Sequence, residues 1–161
     1  KNGKSFKDYH KEGEIFWQKY VTYTEGMSDY WDYSFFNVSV IRYADVLLLY
    51  AECLNDKGET TEAINIINKV RARVNVPALP LTMSKAEVLK HLQDKERPCE
   101  LALEGSRWYD LVRWGIVEET LKAHNKPFVE NYVDTKHQLF PIPHSEFLLN
   151  PDWEQNPNYS K

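Results

Sequence analysis

The stretch that decides the fold runs from residue 41 to residue 77 and reads IRYADVLLLYAECLNDKGETTEAINIINKVRARVNVP. Its apolar residues recur three or four positions apart, which predicts a helix over residues 41–57 that ends at Gly58. Either Thr60 or Thr61 is expected to cap a second helix. Because the connection is so short, the two helices are expected to be antiparallel neighbours.

Small residues inside this stretch indicate a close helix pair. Ala51, Gly58 and Ala63 are separated by large apolar residues, as in one tetratricopeptide unit, whose small residues let two helices approach closely. One such unit cannot bury its own apolar face, so its packing partners must come from elsewhere. No second copy follows at the spacing of that repeat, which leaves a plain helical hairpin as the alternative.

The sequence after this pair continues in a helical pattern. Ser84 with Glu87 forms a capping box that opens a third helix. Pro98 falls inside the helical pattern and is expected to kink the helix, or to restart it with the proline in a first turn. A further helix is expected over residues 99–114, and a weaker pattern predicts a short one within residues 116–124.

Both ends of the chain depart from the helical pattern. Residues 1–40 alternate aromatic and polar residues, and two strand-like pieces, residues 17–24 and 33–40, are separated by a polar loop. Residues 140–159 are rich in proline and asparagine. This segment is expected to form an irregular tail that packs over the helices, because such a composition cannot continue a helix or a central strand.

The predicted fold class is therefore mainly α. It comprises a tetratricopeptide-like helix pair plus further helices, short extended N-terminal segments and an irregular Pro/Asn-rich C-terminal tail. We expect residues 1–161 to be a single portion of one domain, with residues 1–40 as an aromatic-rich segment and residues 41–161 as helical scaffold and tail.

Composition excludes several classes of function. The 161 residues carry a net charge of −4 without a cluster of lysine or arginine, which argues against nucleic acid as a partner. No stretch approaches the roughly 18 apolar residues of a membrane-spanning helix. The histidines lack zinc-ligand spacing and the glycines form no phosphate-binding loop, so we expect no metal and no cofactor. Cys53 and Cys99 are too few for a disulfide framework and are expected to be small buried residues.

A ladder of charges occupies residues 96–115, which read ERPCELALEGSRWYDLVRWG. Charges of alternating sign recur every third residue, at Glu104, Arg107, Asp110 and Arg113. On one helix these would be neighbouring ion pairs. An alternative reads Glu100 and Glu104 as the two carboxylates of a glycoside hydrolase. The nearby arginines would keep both carboxylates ionised, which favours a structural ion network.

Five segments together carry a family resemblance: residues 41–55 (IRYADVLLLYAECLN), 67–77 (INKVRARVNVP), 96–115, 139–151 (LFPIPHSEFLLNP) and 155–159 (QNPNY). Their order and spacing resemble the C-terminal portion of SusD/RagB-family outer-membrane proteins. The resemblance implies a non-enzymatic, lipid-anchored, surface-exposed nutrient-binding lipoprotein of Bacteroidota-type bacteria. It also implies that the protein captures oligosaccharides and delivers them to a partner TonB-dependent transporter, and that the lipid anchor lies outside this chain.

The resemblance assigns the charged motifs to the scaffold. Six residues are carried over as structural: Arg42, Glu52, Glu104, Arg107, Asp110 and Arg113. Pro98 departs from the family pattern, since it stands where the family commonly has a second arginine after Glu-Arg. In resembling proteins the aromatic ligand platform comes from variable loops before and between the scaffold helices.

Aromatic rings beside carboxylates suit a sugar, which offers apolar faces with polar rims. The predicted ligand-binding residues are Asp29, Tyr30, Trp31, Asp32 and Tyr33, in the loop between the two extended pieces, with Trp17 and Tyr20 as second choices. The alternative is that these rings pack on the helices. Two other functions stay open: a helical-repeat adaptor that binds peptides along the 41–74 hairpin and, as the weaker alternative, a glycoside hydrolase fragment.

Overall fold

The computed structural model describes residue 19 and residues 39–160. These residues form eight α-helices: α1 (Tyr43–Asp56), α2 (Thr60–Arg73), α3 (Lys85–His91), α4 (Arg97–Glu100), α5 (Arg107–Trp114), α6 (Val117–Ala123), α7 (Asp134–His137) and α8 (His144–Leu149). A π-helical segment, Leu92–Glu96, joins α3 to α4, and a 3-10 helix, Pro127–Asn131, precedes α7. No strand occurs in this described part, which confirms the mainly α prediction.

The chain divides into two units, residues 1–43 and residues 44–161. The packing reported below is that of the second unit. The extended pieces predicted at 17–24 and 33–40 lie outside the described residues, apart from residues 19, 39 and 40.

The predicted helix pair is present, and Gly58 ends its first helix as expected. Gly58 has a φ of +90°, a conformation that glycine adopts without a steric penalty. Its N–H donates to the Asn55 carbonyl at 3.1 Å, and the next N–H, of Glu59, donates to the Leu54 carbonyl at 2.9 Å. The predicted threonine cap is wrong. Glu59 takes the cap position without a side-chain hydrogen bond, because Thr60 is already the first helical residue.

The main core lies between α1, α2, α3 and the π-helical segment. Its buried residues are Ala44, Leu48, Ala51, Leu54, Ala63, Ile64, Ile66, Ile67, Val70, Val88 and Leu92. The small alanines at 51 and 63 are fully buried, which agrees with the close approach that the sequence predicts. Asn55 is buried beside this core, and its Nδ2 donates to the Lys85 carbonyl at 2.9 Å, which ties α1 to the start of α3.

The capping box and the proline restart are both confirmed. Glu87 accepts a hydrogen bond from the Ser84 N–H at 2.7 Å, while the Ser84 hydroxyl accepts one from the Glu87 N–H. The helix then widens into the π-helical segment and restarts as α4 with Pro98 in its first turn. A proline there is tolerated because the first N–H groups of a helix have no intrahelical partner.

The single helix predicted over residues 99–114 is wrong. α4 ends at Glu100, and α5 begins only at Arg107. Between them Leu103 has a φ of +64° and Gly105 a φ of +77°, and neither angle fits a right-handed helix. Gly105 is the residue in the sequence that could have indicated this break between α4 and α5. The short helix expected within 116–124 is present as α6.

A second, smaller core joins α5 to α6. Leu111, Val117 and Leu121 are buried there, and five partly buried residues pack against them: Trp108, Val112, Ile116, Val129 and Tyr132. Gly115, with a φ of +68°, forms the left-handed turn that lets the chain fold back between the two helices.

The cysteine prediction is wrong. Cys53 and Cys99 are both free thiols, as expected for a chain without a disulfide framework, but both are exposed within the described structure rather than buried. Each occupies an outward position on its helix, α1 and α4 respectively. Their helical surroundings gave no information about which face each would occupy.

The C-terminal tail is mostly irregular, as predicted, and contains the short helix α8. The side-chain amide of Gln155 accepts a hydrogen bond from the Ile142 N–H at 2.8 Å and donates one to the Ile142 carbonyl at 2.9 Å. Phe147 is buried, whereas Leu149 and Trp153 are exposed. The burial of Phe147 agrees with the predicted packing of the tail, whereas the exposure of Leu149 and Trp153 does not.

Candidate functional site and the ion network of the scaffold

The predicted ligand-binding residues lie outside the part of the chain that the structure describes. They are Asp29, Tyr30, Trp31, Asp32, Tyr33, Trp17 and Tyr20. The described residues show how the charged motifs of the sequence are used, and therefore which of those groups are available for ligand or for chemistry.

A buried arginine forms the centre of the charged network. The Arg97 guanidinium on α4 is only 3% exposed, and its Nε donates to the Asp110 carboxylate at 2.7 Å. Its Nη1 lies 2.8 Å from a carboxylate oxygen of Asp45 on α1, which makes an ion pair without hydrogen-bond geometry. Two carboxylates on different helices thus neutralise one buried cation. The arrangement joins α1, α4 and α5.

A second arginine extends this network towards the surface. Arg113 Nε donates to the other Asp110 oxygen at 3.1 Å, and its Nη2 donates to Glu52 at 2.7 Å. The Trp114 indole N–H also donates to Glu52, at 2.8 Å, and the Arg113 guanidinium lies 4.5 Å from the centre of the Trp114 ring. Glu52 therefore connects the middle of α1 to the end of α5.

These contacts change the pKa of Glu52. Partial burial acts to raise its pKa, but the hydrogen bonds from Arg113 and Trp114, with the attraction of nearby arginine charges, outweigh burial and hold the pKa below the ordinary value of 4.5. The pKa of Arg113 is correspondingly raised, chiefly by its hydrogen bond to Glu52.

The predicted ladder of neighbouring pairs is therefore confirmed at Asp110 and Arg113. Arg113 and Asp110 form an i,i+3 ion pair, while the main partners of both residues come from other helices. Glu104 lies before α5 rather than on it. Helix spacing predicts which charged residues lie on one face of a helix. Their ion-pair partners depend on which other helix packs against that face.

Arg107 compensates for a hydrogen bond that Pro98 cannot make. In the π-helical segment each carbonyl is directed at the N–H five residues later, and for Gln93 that residue is Pro98, which has no N–H. The Arg107 Nη1 donates to the Gln93 carbonyl at 2.8 Å instead. Burial lowers the pKa of Arg107, an effect opposed by Asp110 and Asp94. The arginine from α5 thus stabilises the irregular turn in front of α4.

The glycoside hydrolase alternative finds no support in this geometry. Both oxygens of Glu100 accept hydrogen bonds from Arg73 Nη2, each at 2.8 Å. Glu100 is the last residue of α4 and Glu104 lies in the connection that follows, so the two carboxylates do not form the one-turn pair on a single helix that the alternative needs. Glu96, a further buried carboxylate, is bound by Arg71 at 2.6 Å and by His91 at 2.8 Å.

An aromatic group on the second core was not predicted as a site. The Tyr132 ring lies 6.2 Å from the Trp108 ring, edge to face, and 5.7 Å from the His137 ring. The Tyr132 hydroxyl donates to Asp134 at 2.7 Å, and burial together with this bond raises the pKa of Tyr132 to about 12. His137 Nδ1 accepts from the Val133 N–H at 2.8 Å. Packing and local hydrogen bonds therefore explain the positions of the Trp108, Tyr132 and His137 rings.

Two further features bear on the class of protein. Among the residues described here no three His, Cys, Asp or Glu side chains are placed to hold a metal ion. Within the same residues every helix is too short or too polar to traverse a lipid bilayer.

Lowering the pH should weaken the contact of α1 with α5. Because the folded state holds the pKa of Glu52 below 4.5, its contribution is present above about pH 4.5 and is lost as the pH falls through the lower folded-state value. At pH 7 we expect Glu52→Gln to lower the free energy of unfolding by roughly 1–2 kcal/mol, between the values for surface ion pairs and charged hydrogen bonds. Urea unfolding of the unaltered protein and of Glu52→Gln, from pH 7 to pH 3, measures the difference between their free energies of unfolding. This difference should become smaller as the pH falls. A difference that stays constant would contradict the lowered pKa of Glu52.

A helix pair and further helices, joined by an apolar core and buried ion pairs, define a helical scaffold. The SusD family model matches residues 2–159, and the chain belongs to this family. SusD-like protein P38 of Formosa agariphila is 37% identical over 130 residues, which cover 76% of this chain and 25% of that protein. SusD-like protein P2 of the same bacterium is 31% identical over 131 residues, which cover 76% of this chain and 26% of that protein.

Solved structures agree with this assignment. A SusD superfamily protein from Bacteroides vulgatus matches with a TM-score of 0.67 at 37% identity, over 76% of this chain and 28% of that one. A SusD homolog from Bacteroides thetaiotaomicron matches with a TM-score of 0.63 at 34% identity, over 88% of this chain and 30% of that one. The chain thus spans about a quarter of the length of the curated relatives that it matches.

Proposed function

We propose that this chain is the C-terminal portion of a surface protein that captures oligosaccharides as nutrients. The observation that carries the proposal is the match of the SusD family model to nearly the whole chain, residues 2–159. In the proposed arrangement residues 41–161 form the scaffold and residues 1–40 contribute the recognition surface. The protein is lipid-anchored at the outer face of the outer membrane and delivers its ligand to a partner TonB-dependent transporter.

The distribution of charged groups supports binding rather than catalysis. Asp110, Glu52 and Glu100 all accept hydrogen bonds from arginines within the scaffold. Carboxylates held in this way are positioned to stabilise packing, whereas the general acid in glycoside cleavage must be free to donate a proton to the substrate. The proposed function therefore needs no enzymatic step.

The proposed ligand site is the aromatic segment before the scaffold. Tyr30, Trp31 and Tyr33 alternate with the carboxylates of Asp29 and Asp32, so that rings can stack on a sugar face while acidic groups accept its hydroxyl hydrogens. Trp17 and Tyr20 are proposed as secondary ligand contacts. A long glycan would make several weak contacts at once, so affinity should increase with chain length.

Titration calorimetry of the full-length protein against a polysaccharide panel tests the proposal. We expect one glycan class to bind, and Trp31→Ala to weaken its affinity by about tenfold or more, the effect of losing a central aromatic contact. The matched control is Trp153→Ala, which removes a half-exposed tryptophan of the tail and should leave affinity unchanged.

Absence of binding to every glycan would overturn the proposed function. Binding that Trp31→Ala leaves unchanged would overturn the proposed site alone. Delivery to a transporter has a separate test: the full-length protein should copurify with a TonB-dependent transporter from outer membranes, and the glycan should then pass from one protein to the other.

A further inference from the structure

Two prolines restrict how the backbone in front of α8 can be bound. Pro141 and Pro143 have no N–H, so Ile142 carries the single N–H of residues 141–143. The side-chain amide of Gln155 accepts a hydrogen bond from this N–H at 2.8 Å and donates one to the Ile142 carbonyl at 2.9 Å. One side chain thus satisfies both backbone groups of Ile142, as a paired residue on a neighbouring antiparallel strand does in a sheet.

The glutamine begins a short segment, residues 155–159 (QNPNY), which we call the strap. Asn156 Nδ2 donates to the Phe140 carbonyl at 2.6 Å, and the Tyr159 hydroxyl donates to the Leu139 carbonyl at 3.1 Å. These carbonyls belong to an irregular stretch that is neither helix nor strand in the described structure. Side chains of the strap therefore hold the backbone of this stretch in place.

The far end of the strap contacts α7. Asn158 Nδ2 lies 3.3 Å from the carbonyl oxygen and 3.2 Å from the hydroxyl oxygen of Thr135, and donates to both. The Lys136 ammonium lies 4.7 Å from the centre of the Tyr159 ring, within the range of a cation–π contact. Because α7 has only four residues, its own hydrogen bonds cannot make it stable. The strap therefore supports two neighbouring stretches, α7 and residues 139–143.

We infer that the strap, α7 and residues 139–143 form one cooperative unit that opens locally while the main core stays folded. Leu48 and Ile67 of the main core are fully buried, whereas residues 133–146, all of them described, include no buried residue. Segments that depend on exposed hydrogen bonds rather than on buried apolar contacts open at a lower free energy than the core. Since the same five residues bind both stretches, release of the strap frees both together.

Hydrogen–deuterium exchange of the full-length protein, measured by peptide mass spectrometry, tests the inference. Gln155→Glu keeps the shape of the side chain but replaces the amide donor by a carboxylate oxygen that faces the Ile142 carbonyl. We expect amides of residues 134–143 to exchange about tenfold faster or more, and those of α1 and α2 to be unchanged. Glu154→Gln, at the exposed neighbouring residue, is the matched control and should leave every rate unchanged.

Asn158→Gly tests the strap from its other end. Asn158 has a φ of +66°, which glycine adopts without a steric penalty, so this variant removes the contacts with Thr135 and keeps the backbone. Exchange should again be faster in both α7 and residues 139–143. The inference is overturned if each variant affects only the stretch that it touches, if neither variant changes the rates, or if α1 and α2 are accelerated equally.

The unaltered protein decides the question if Gln155→Glu does not fold. Its amides in α7 and in residues 139–143 should exchange at similar rates, and faster than those of α1 and α2. Exchange of residues 134–143 as slow as that of the main core would show that the strap opens only with the whole protein, and would overturn the inference.

Discussion

Replacing Arg97 with methionine should lower the free energy of unfolding by about 3–5 kcal/mol, the usual effect of breaking a buried ion pair from one side. Arg97 is 3% exposed and is the cation between Asp45 and Asp110. Without it the Asp110 carboxylate, itself 5% exposed, would lose its buried partner and keep its ion pair with the partly exposed Arg113. Urea unfolding of the full-length protein, followed by circular dichroism, measures the loss.

Arg73→Met is the matched control for this substitution. Arg73 also pairs with a glutamate, but its side chain is 56% exposed, so its loss should lower the free energy of unfolding by about 1 kcal/mol or less. The double variant Arg97→Met/Asp110→Leu should lose less than the sum of its two single variants, because it removes both partners together. Equal effects of Arg97→Met and Arg73→Met would contradict the buried network.

Truncating Leu48 to alanine should lower the free energy of unfolding by about 2–5 kcal/mol. Leu48 is fully buried on the core face of α1 and belongs to the cluster that joins α1, α2, α3 and the π-helical segment. The loss combines the removed apolar contact with the cavity that remains, since the surrounding core relaxes only partly around it. Chemical denaturation at neutral pH gives the value.

Leu149→Ala provides the comparison for the core substitution. Leu149 lies on α8 and is 77% exposed, so its truncation should change the free energy of unfolding by about 0.5 kcal/mol or less. Should Leu48→Ala cost no more than Leu149→Ala, the helix pair would not be the core of the full-length protein.

The helix pair could be predicted because all its signals are local. Apolar residues at helical spacing, small residues at 51 and 63, and Gly58 at the end of α1 all agree, and each acts through its nearest neighbours in sequence. The capping box at Ser84 and the restart at Pro98 were predictable for the same reason. The break before Arg107 was missed because one glycine competes with a long helical pattern, and the left-handed turn at Leu103 has no sequence signal of its own.

The sequence suggested which residues form the candidate site, but it could not give their arrangement in space. The aromatic and acidic residues of the segment before the scaffold remain a prediction, since all seven lie outside the described residues. The Arg107 contact with the Gln93 carbonyl, in contrast, is observed in the structure but could not be predicted from the sequence. It depends on the missing N–H of Pro98, which is visible in the sequence, and on a donor from another helix, which is not.

The sequence by itself determined the mainly helical class, most helix ends and the family, because these depend on short-range patterns and on the order of motifs. Tertiary structure alone decided which charges meet. Arg97 joins Asp45 to Asp110, and Arg113 joins Asp110 to Glu52, across helices far apart in sequence. The tertiary structure also decided that Cys53 lies on an exposed face of α1 rather than in the core. The physical reason is that helical spacing assigns a residue to a face, whereas burial and pairing depend on which element packs against that face.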